Sequence, residues 1–497
     1  MTQPLLIVGA GPVGLTLAME LTRYGVPLRI VDKAAARTDK SKALVLWSRT
    51  LELLDRGPGA NRFIDAGFKV TAVNMISREK TVGRADMGSI NSPYPFALML
   101  PQSATERLLE ERLGELGVKV ERGVEVTALS FAGNTVDAVL RRADGAQETV
   151  STQWLAGCDG AHSFVRHSVG AGFVGETLAS DWILADVHMT GYPSLDSEAS
   201  VYWHNEGAFV IFPISPGRYR ILADQPPSGA EHPPVPSLEQ VQSVMNQRGP
   251  PGMRAYDPIW LAGFRINGRK VAKYRWNRAF LLGDAAHVHS PAGGQGMNTG
   301  MQDAFNLAWK LAMVVGGNAT EQLLDSYSIE RSEVGDLVLK NAGRLTAIGT
   351  LRNPVLQNLR NVVGHALLGL TPVQHALANN MSEVSIGYPH SPLNGPALAP
   401  GGPKPGERVA PVDGQKPVGS GDAPRFTLMA DTTPATSDLV AKFSRVLEPD
   451  IRAPASPGGL WLIRPDGYVA CSTAEPRGIA DYLGSLGITA GAHAAAS

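Results

Sequence analysis

Three clusters of glycine and acid residues carry the chemistry open to this sequence. The first is Gly9-Ala10-Gly11-Pro12-Val13-Gly14, with Asp32 following. Gly9 permits a sharp bend, Gly11 lets the backbone come close to a pyrophosphate, and Gly14 lets a helix lie tightly on a sheet. The free amides and positive end of that helix then face the phosphates, while Asp32 is placed to accept hydrogen bonds from a ribose. The second cluster is Gly283-Asp284-Ala285-Ala286-His287, and the third is Pro291-Ala292-Gly293-Gly294-Gln295-Gly296-Met297-Asn298. An acid at a strand end beside a glycine-rich helix start suits a polyol, held by the carboxylate, and an electron-poor ring, held by backbone amides.

The elements that must position these groups follow from hydrophobic patterning. Leu5-Leu6-Ile7-Val8 is a short apolar run bounded by glycine and reads as a buried parallel strand. A helix from Leu15 stops near Tyr24-Gly25, and Leu28-Arg29-Ile30-Val31 is a second strand ending in Asp32. Strand, tight turn, helix, strand and acid in this order are the full dinucleotide-binding context. A polar loop over 33–42 and a helix over 48–54 come next, then a helix capped by Ser103. Strands are expected at 118–120, 124–126, 136–140 and 149–155, before Cys158-Asp159-Gly160 turns into another helix. From about 176 to 277 helical periodicity fades and short alternating runs predict an antiparallel sheet, with a surface loop over 226–236. Residues 279–284 form another buried strand, and 302–315 an amphipathic helix. The expected division is 1–175 and 278–385 as two parts of one nucleotide domain, 176–277 as a substrate-binding insert, 386–424 as a linker rich in proline and glycine, and 425–497 as a small α/β module whose tail, 490–497, frays.

The 497 residues, 43% apolar and 18% charged, suit a globular enzyme of several domains. A net charge of −1 argues against nucleic acid or an anionic membrane as partner. Two cysteines, Cys158 and Cys471, exclude a disulfide framework and fit a reducing compartment. The apolar stretch over 5–19 lacks a basic flank and is broken by glycines and a proline, so it reads as core, and a cytoplasmic protein is expected. His287 and His289 lie near Asp284 without a third ligand in sequence, and no metal site is read from them.

The glycine clusters, taken with Asp159-Gly160 and Gln302-Asp303-Ala304-x-Asn306-Leu307-x-Trp309-Lys310-Leu311, resemble the single-component flavin aromatic hydroxylases of the para-hydroxybenzoate hydroxylase fold over about residues 1–380. Pro405-Gly406-Glu407-Arg408 and Arg464-Pro465-Asp466-Gly467-Tyr468-Val469-Ala470 make the C-terminal part similar to the thioredoxin-like appendage of the phenol and aromatic-polyketide hydroxylase branch. The resemblance implies an α/β fold: a Rossmann-type FAD-binding domain, an inserted antiparallel β-sheet substrate domain and a thioredoxin-like C-terminal α/β domain. It implies FAD on Gly9, Gly11, Pro12, Val13, Gly14, Asp32 and Lys33, with Lys42 and Gln102 as flavin contacts. Gly283 and Asp284 would hold the ribityl chain, and Gly294, Gly296, Met297 and Asn298 the pyrimidine edge. Asp159 is associated with both FAD and a transient NADPH or NADH. Pro291 stands where a carbonyl faces the phenol ring, and Trp47, Trp203 and Phe212 are further candidates for the substrate pocket. Lys42 replaces the usual arginine, Trp47 the histidine of many relatives, and the appendage lacks Cys-x-x-Cys, so thiol redox chemistry is excluded there.

The expected activity is FAD-dependent hydroxylation of a phenolic aromatic through a flavin C4a-hydroperoxide, with NAD(P)H as donor and O2 as co-substrate. Partners are then a small aromatic molecule and O2, with neither nucleic acid nor membrane, and a homodimer is among the assemblies admitted. Baeyer–Villiger oxygenation or epoxidation of a polycyclic substrate, a flavin reductase without oxygen chemistry, and a non-catalytic flavin-binding protein are the alternatives. No two of the eight tryptophans are spaced as a flavin halogenase requires.

Overall fold

In the computed structural model, which describes residues 3–77 and 80–488, the strand Gln3–Val8 lies inside a sheet between Leu28–Asp32 and Gln147–Gly157, parallel to both. Ala279–Leu281 extends the parallel set beyond Gln147–Gly157, and Glu121–Arg122 extends it beyond Leu28–Asp32. The run over 5–8 suits the middle of such a sheet because both its faces are covered and all four side chains are buried. The fingerprint helix Pro12–Arg23 packs between the long helix Gly296–Val315 and the helix Gln102–Glu115. The glycine turn therefore sits at the carboxyl ends of the parallel strands, where open α/β sheets bind their ligands.

A second sheet of eight strands is antiparallel except where Glu198–His204 runs parallel to Ala72–Ser77. The stretch over 176–277 supplies most of it. Ala72–Ser77 and Lys80–Asp86 join from earlier in the chain, and His287–Val288 joins from the second glycine cluster. Local patterning cannot announce such distant pairing. A helix, Leu238–Arg248, also lies within this region, started by a Ser237/Gln240 capping box.

Four local expectations differ from the structure. Pro101, not Ser103, precedes the helix at Gln102, and the short strand follows 118–120 at Glu121–Arg122, where only two residues reach the edge of the sheet. The long helix begins at Gly296 rather than 302, because two glycines in left-handed backbone end at Gln295 and free the chain to wind. The stretch over 386–424 is not a loose linker. Gly395, Leu398, Gly406 and Val409 donate backbone hydrogen bonds to the carbonyls of Ala470, Ser472, Val469 and Gly467, lacing it to the last strand. Its proline and glycine content masks that pairing because it leaves no alternating pattern.

Thr427–Met429, Leu460–Ile463 and Val469–Thr473 form a three-stranded antiparallel sheet flanked by Pro434–Lys442 and Pro476–Ser485. The turn at 464–467 in this module reaches back into the first half of the chain. Arg49 and Arg56 donate to the carbonyls of Asp466 and Pro465, and Trp309 Nε1 donates to the Asp466 carboxylate. The tail expected to fray, 490–497, lies outside the described residues. Among the described residues no helix is long and apolar enough to cross a membrane.

Candidate functional site

The fingerprint glycines occupy three different environments. Gly9 has φ +101°, and a Cβ there would lie 2.3 Å from the Cys158 carbonyl oxygen on the neighbouring strand. A Cβ on Gly14 would lie 1.9 Å from the Gly9 carbonyl oxygen, so the helix reaches its place only without a side chain at that point. A Cβ on Gly11 would meet nothing within 4 Å. That open face beside the unbonded first-turn amides of the helix is a cradle for a pyrophosphate. Asp32 closes the turn by accepting from the amides of Ala10 at 2.7 Å and Ala34 at 2.8 Å, while Lys33 is exposed beside it.

Val13 joins this cradle to the second cluster. Its Cγ2 lies 2.8 Å from where a Cβ would stand on Gly283 and on Gly300, so the two helices and the Gly283 turn meet on one valine. Asp284 projects from that turn, exposed to the cleft and, among the described residues, without a protein hydrogen bond or ion pair. The protein packed around the rest of it pushes its carboxyl above the ordinary range, against the pull of His287 and Lys42. Behind it, Asp303 accepts from the Gly283 amide at 2.9 Å and from Arg331 Nε at 2.6 Å, and His287 Nε2 lies 2.8 Å from the same carboxylate. Burial opposes ionisation of Asp303, yet Arg331 and His287 hold its carboxyl below the usual range.

The third cluster is bound to Trp47. Gly293 and Gly294 take φ of +89° and +66°, and the Trp47 indole donates to the Gly293 carbonyl at 2.9 Å. Asn298 accepts from the Trp47 amide at 2.8 Å and donates to the carbonyls of Val45 and Gly294 at 2.9 and 3.0 Å. Its side chain is thus a clamp, and what remains free for a ligand is backbone: the first-turn amides of Gly296, Met297 and Asn298. The Gly294 amide donates to the Pro291 carbonyl at 2.9 Å, and Pro291 itself is exposed.

One expected cofactor contact, Asp159, makes hydrogen bonds within the protein, and another, Gln102, holds the loop at Ala43. Asp159 accepts from Ser163 Oγ and from the Val165 amide, which ties it to the start of the short helix Phe164–Ser168, whose cap is Ser163. Gln102 exchanges hydrogen bonds with the backbone of Ala43 and fixes the neighbouring Lys42, whose side chain is exposed near Asp284. Arg220 lies in a strand, where charges are commonly solvated, but it is 2% exposed, pairs with both Asp186 oxygens at 2.7 and 2.9 Å, and donates to the carbonyls of Lys42 and Ser41. The second sheet thereby grips the loop that carries Lys42.

Trp47, Trp203 and Phe212 fall in one apolar cluster with Val45, Met99 and Ile214, which brings three of the four pocket candidates together next to the Gly293 turn. Trp47 is only 2% exposed, so it forms the wall of that region and is not a platform on which a ring could stack. Trp47→Phe removes the hydrogen bond and part of the buried ring, and the expected loss is about 1–3 kcal/mol of unfolding free energy. Urea unfolding measures it, and an unchanged midpoint would mean the indole N–H contributes nothing to holding the turn. Arg220, Asp303 and Arg331 are the positions that sequence reasoning left without a role. Asp303 stood in a quoted motif, whereas nothing near Arg331 marks it.

The family described as FAD binding domain matches residues 2–342. The chain is 37% identical to the 6-methylpretetramide 4-monooxygenase of Streptomyces rimosus, over 94% of this chain and 90% of that protein. Its structure is similar to that of the anhydrotetracycline hydroxylase from Streptomyces rimosus, with TM-score 0.79 and 30% identity over 99% of this chain and 100% of the other. It is also similar to an aromatic hydroxylase from angucycline biosynthesis, with TM-score 0.76 and 28% identity over 95% and 96% of the two chains.

Proposed function

This chain belongs to the FAD binding domain family of flavin-dependent aromatic hydroxylases, and from that premise we propose that it hydroxylates a fused-ring phenol with NADH or NADPH as electron donor and O2 as co-substrate. It is a monooxygenase that uses FAD. The observation that carries the reading is the meeting of the open Gly11 face and the unpaired Asp284 across Val13, because a dinucleotide with a polyol chain needs both within one cleft.

The residues fit that cofactor. Gly11, Val13 and Gly14 would take the pyrophosphate, Asp32 the adenosine ribose and Asp284 the ribityl hydroxyls, with Lys42 balancing charge beside them. The amides of Gly296, Met297 and Asn298, at the positive end of a 20-residue helix, would stabilise negative charge on the pyrimidine edge of the ring. FAD bound there supplies hydride acceptance from the nicotinamide and activation of dioxygen for transfer to an electron-rich carbon. The partly exposed Trp203 and Phe212, backed by Trp47, would hold the ring of the substrate and keep water from the reacting atoms. The names of the relatives point to polyketide phenols as the class to try first.

The test is a visible spectrum of the purified protein, followed by nicotinamide and oxygen consumption across a panel of single-ring and fused-ring phenols. Stoichiometric use of both with a hydroxylated product supports the reading. Nicotinamide oxidation without oxygen uptake would identify a reductase, and a colourless protein that does not take up FAD would overturn the cofactor assignment for this cleft.

A further inference from the structure

Glu383 occupies a position that resists it. It follows the helix Thr371–Met381, is fully buried, and takes φ +62°, a left-handed backbone that only three non-glycine residues among those described adopt. That conformation penalises any residue with a Cβ, and glycine would adopt it freely. The side chain nevertheless reaches the long helix. Thr299 Oγ1 donates to one carboxyl oxygen at 2.8 Å and Gln302 Nε2 to the other at 2.5 Å. The same loop is bolted down at two more points, with Gln295 donating to the Asn380 carbonyl and the Arg49 amide to the Ser382 carbonyl. Gln295, Thr299 and Gln302 are the residue before the helix and two residues of its first two turns.

We propose that Glu383 is a positioning residue for the flavin, fixing through Thr299 and Gln302 the helix turn whose amides face the ring. The inference rests on the flavin reading of the cleft. Among the described residues the carboxyl has no cation in ion-pair contact. Arg331, from the helix Asp325–Gly349, is committed to Asp303, the Thr299 carbonyl and Tyr388, and Asp303 is the other charged group on the long helix that faces it. From the helix Ser48–Leu54, Thr50 meets the same Gln302 amide as a neutral group. Burial pushes the Glu383 carboxyl up to about 8, against the pull of Thr299, Arg331 and Gln302. The acid is then neutral at pH 7, and its ionisation would set an anion one turn from the amides that are to hold the electron-rich carbonyl edge of the ring.

The sign of the pH dependence follows. A carboxyl raised from 4.5 to about 8 on folding costs stability progressively across that interval, and above about 8 its charge is present in the folded cleft. FAD affinity should fall as pH rises through 8 in the wild type and stay flat in Glu383→Gln, which imitates the protonated acid. Glu383→Gly frees the backbone but leaves Thr299 and Gln302 without their partner, and its FAD dissociation constant should rise about tenfold.

The experiment removes FAD from the full chain and titrates it back by fluorescence quenching from pH 6 to 9 for wild type and both variants, with the melting temperature of each apoprotein recorded. A tenfold weaker Glu383→Gly whose apoprotein melts within a few degrees of wild type, together with a flat Glu383→Gln profile, is the expected result. Wild-type affinity in Glu383→Gly, a loss that only tracks a lower melting temperature, or a Glu383→Gln profile parallel to wild type overturns the proposal. Should Glu383→Gly fail to fold, the Glu383→Gln profile decides alone. Wild type that takes up no FAD would instead refute the reading of the cleft on which the inference stands.

Discussion

Arg464→Met lowers the unfolding free energy by roughly 3–5 kcal/mol, the cost of stranding buried charge. Arg464 donates to both oxygens of Glu330 at 2.7 and 3.0 Å and to both oxygens of Asp466 at 3.0 and 2.6 Å, and all three side chains are essentially excluded from solvent. Glu330 also receives Lys310 Nζ at 2.7 Å and Asn306 Nδ2 at 2.7 Å. Burial opposes its charge, and Arg464 and Lys310 together hold its carboxyl far below the ordinary range. Such a depressed acid adds stability above its unfolded value of 4.5 that is lost as pH falls below it, so wild type should weaken in acid from about that point. With Arg464 gone, Glu330 and Asp466 lose their shared cation, and the acid transition should move to higher pH. Chemical unfolding followed by tryptophan fluorescence at pH 7 and pH 5 measures both effects. Adding Asp466→Asn to Arg464→Met should recover part of the loss, since the carboxylate left without its cation is then neutral, whereas Glu330 keeps Lys310. A single-variant loss under 1 kcal/mol would show that water reaches this cluster.

Gly14→Ala is expected to weaken FAD binding on the order of 100-fold, the scale of a misplacement of about 1 Å at a preorganised site. Its methyl would stand 1.9 Å from the Gly9 carbonyl oxygen, a backbone atom held between two strands, so the helix must move away. That movement also carries Val13 off Gly283 and Gly300 and separates the two halves of the cleft. Gly11→Ala provides the contrast. Its methyl meets no protein atom, so the apoprotein should melt as wild type does while FAD binding is still lost, because the methyl occupies the space of the phosphates. Gly14→Ala should lower both. Differential scanning calorimetry of the apoproteins with parallel FAD titrations separates the cases, and a Gly11→Ala protein with wild-type affinity would exclude pyrophosphate from this turn.

The parts of the fold legible in the sequence were those whose cause is local. Leu5-Leu6-Ile7-Val8, the three glycines and Asp32 lie within one strand–helix–strand unit, and each needs its residue type for a reason that does not depend on the rest of the chain. Gly293 and Gly294 were legible likewise, as a turn that requires left-handed backbone. Asp159 was legible only as an acid in a turn before a helix, and the fold adds that it accepts from Ser163 and Val165 at the start of that helix. Arg220, Arg331, Glu383 and Arg464 were not legible because the partners of each lie on elements brought together only by the tertiary fold. Burial of a charge is decided by what folds over it, and that is settled far away in sequence. Trp47 shows the same limit in an apolar residue: its type allowed ring stacking, and only packing reveals that its edge holds a carbonyl while its face is covered.

The turn at 464–467 has a consequence for biosynthesis. Lys310 and Glu330 are synthesised long before Arg464, and the guanidinium groups of Arg49 and Arg56 wait still longer for the carbonyls of Asp466 and Pro465. While the ribosome is still at work on the intervening stretch, Lys310 has Glu330 and Arg49 has Glu52, but Glu330 lacks the guanidinium, and Arg49 and Arg56 the carbonyls, that complete their buried hydrogen bonds. Those buried hydrogen bonds are therefore completed only after the distal module has emerged from the exit tunnel.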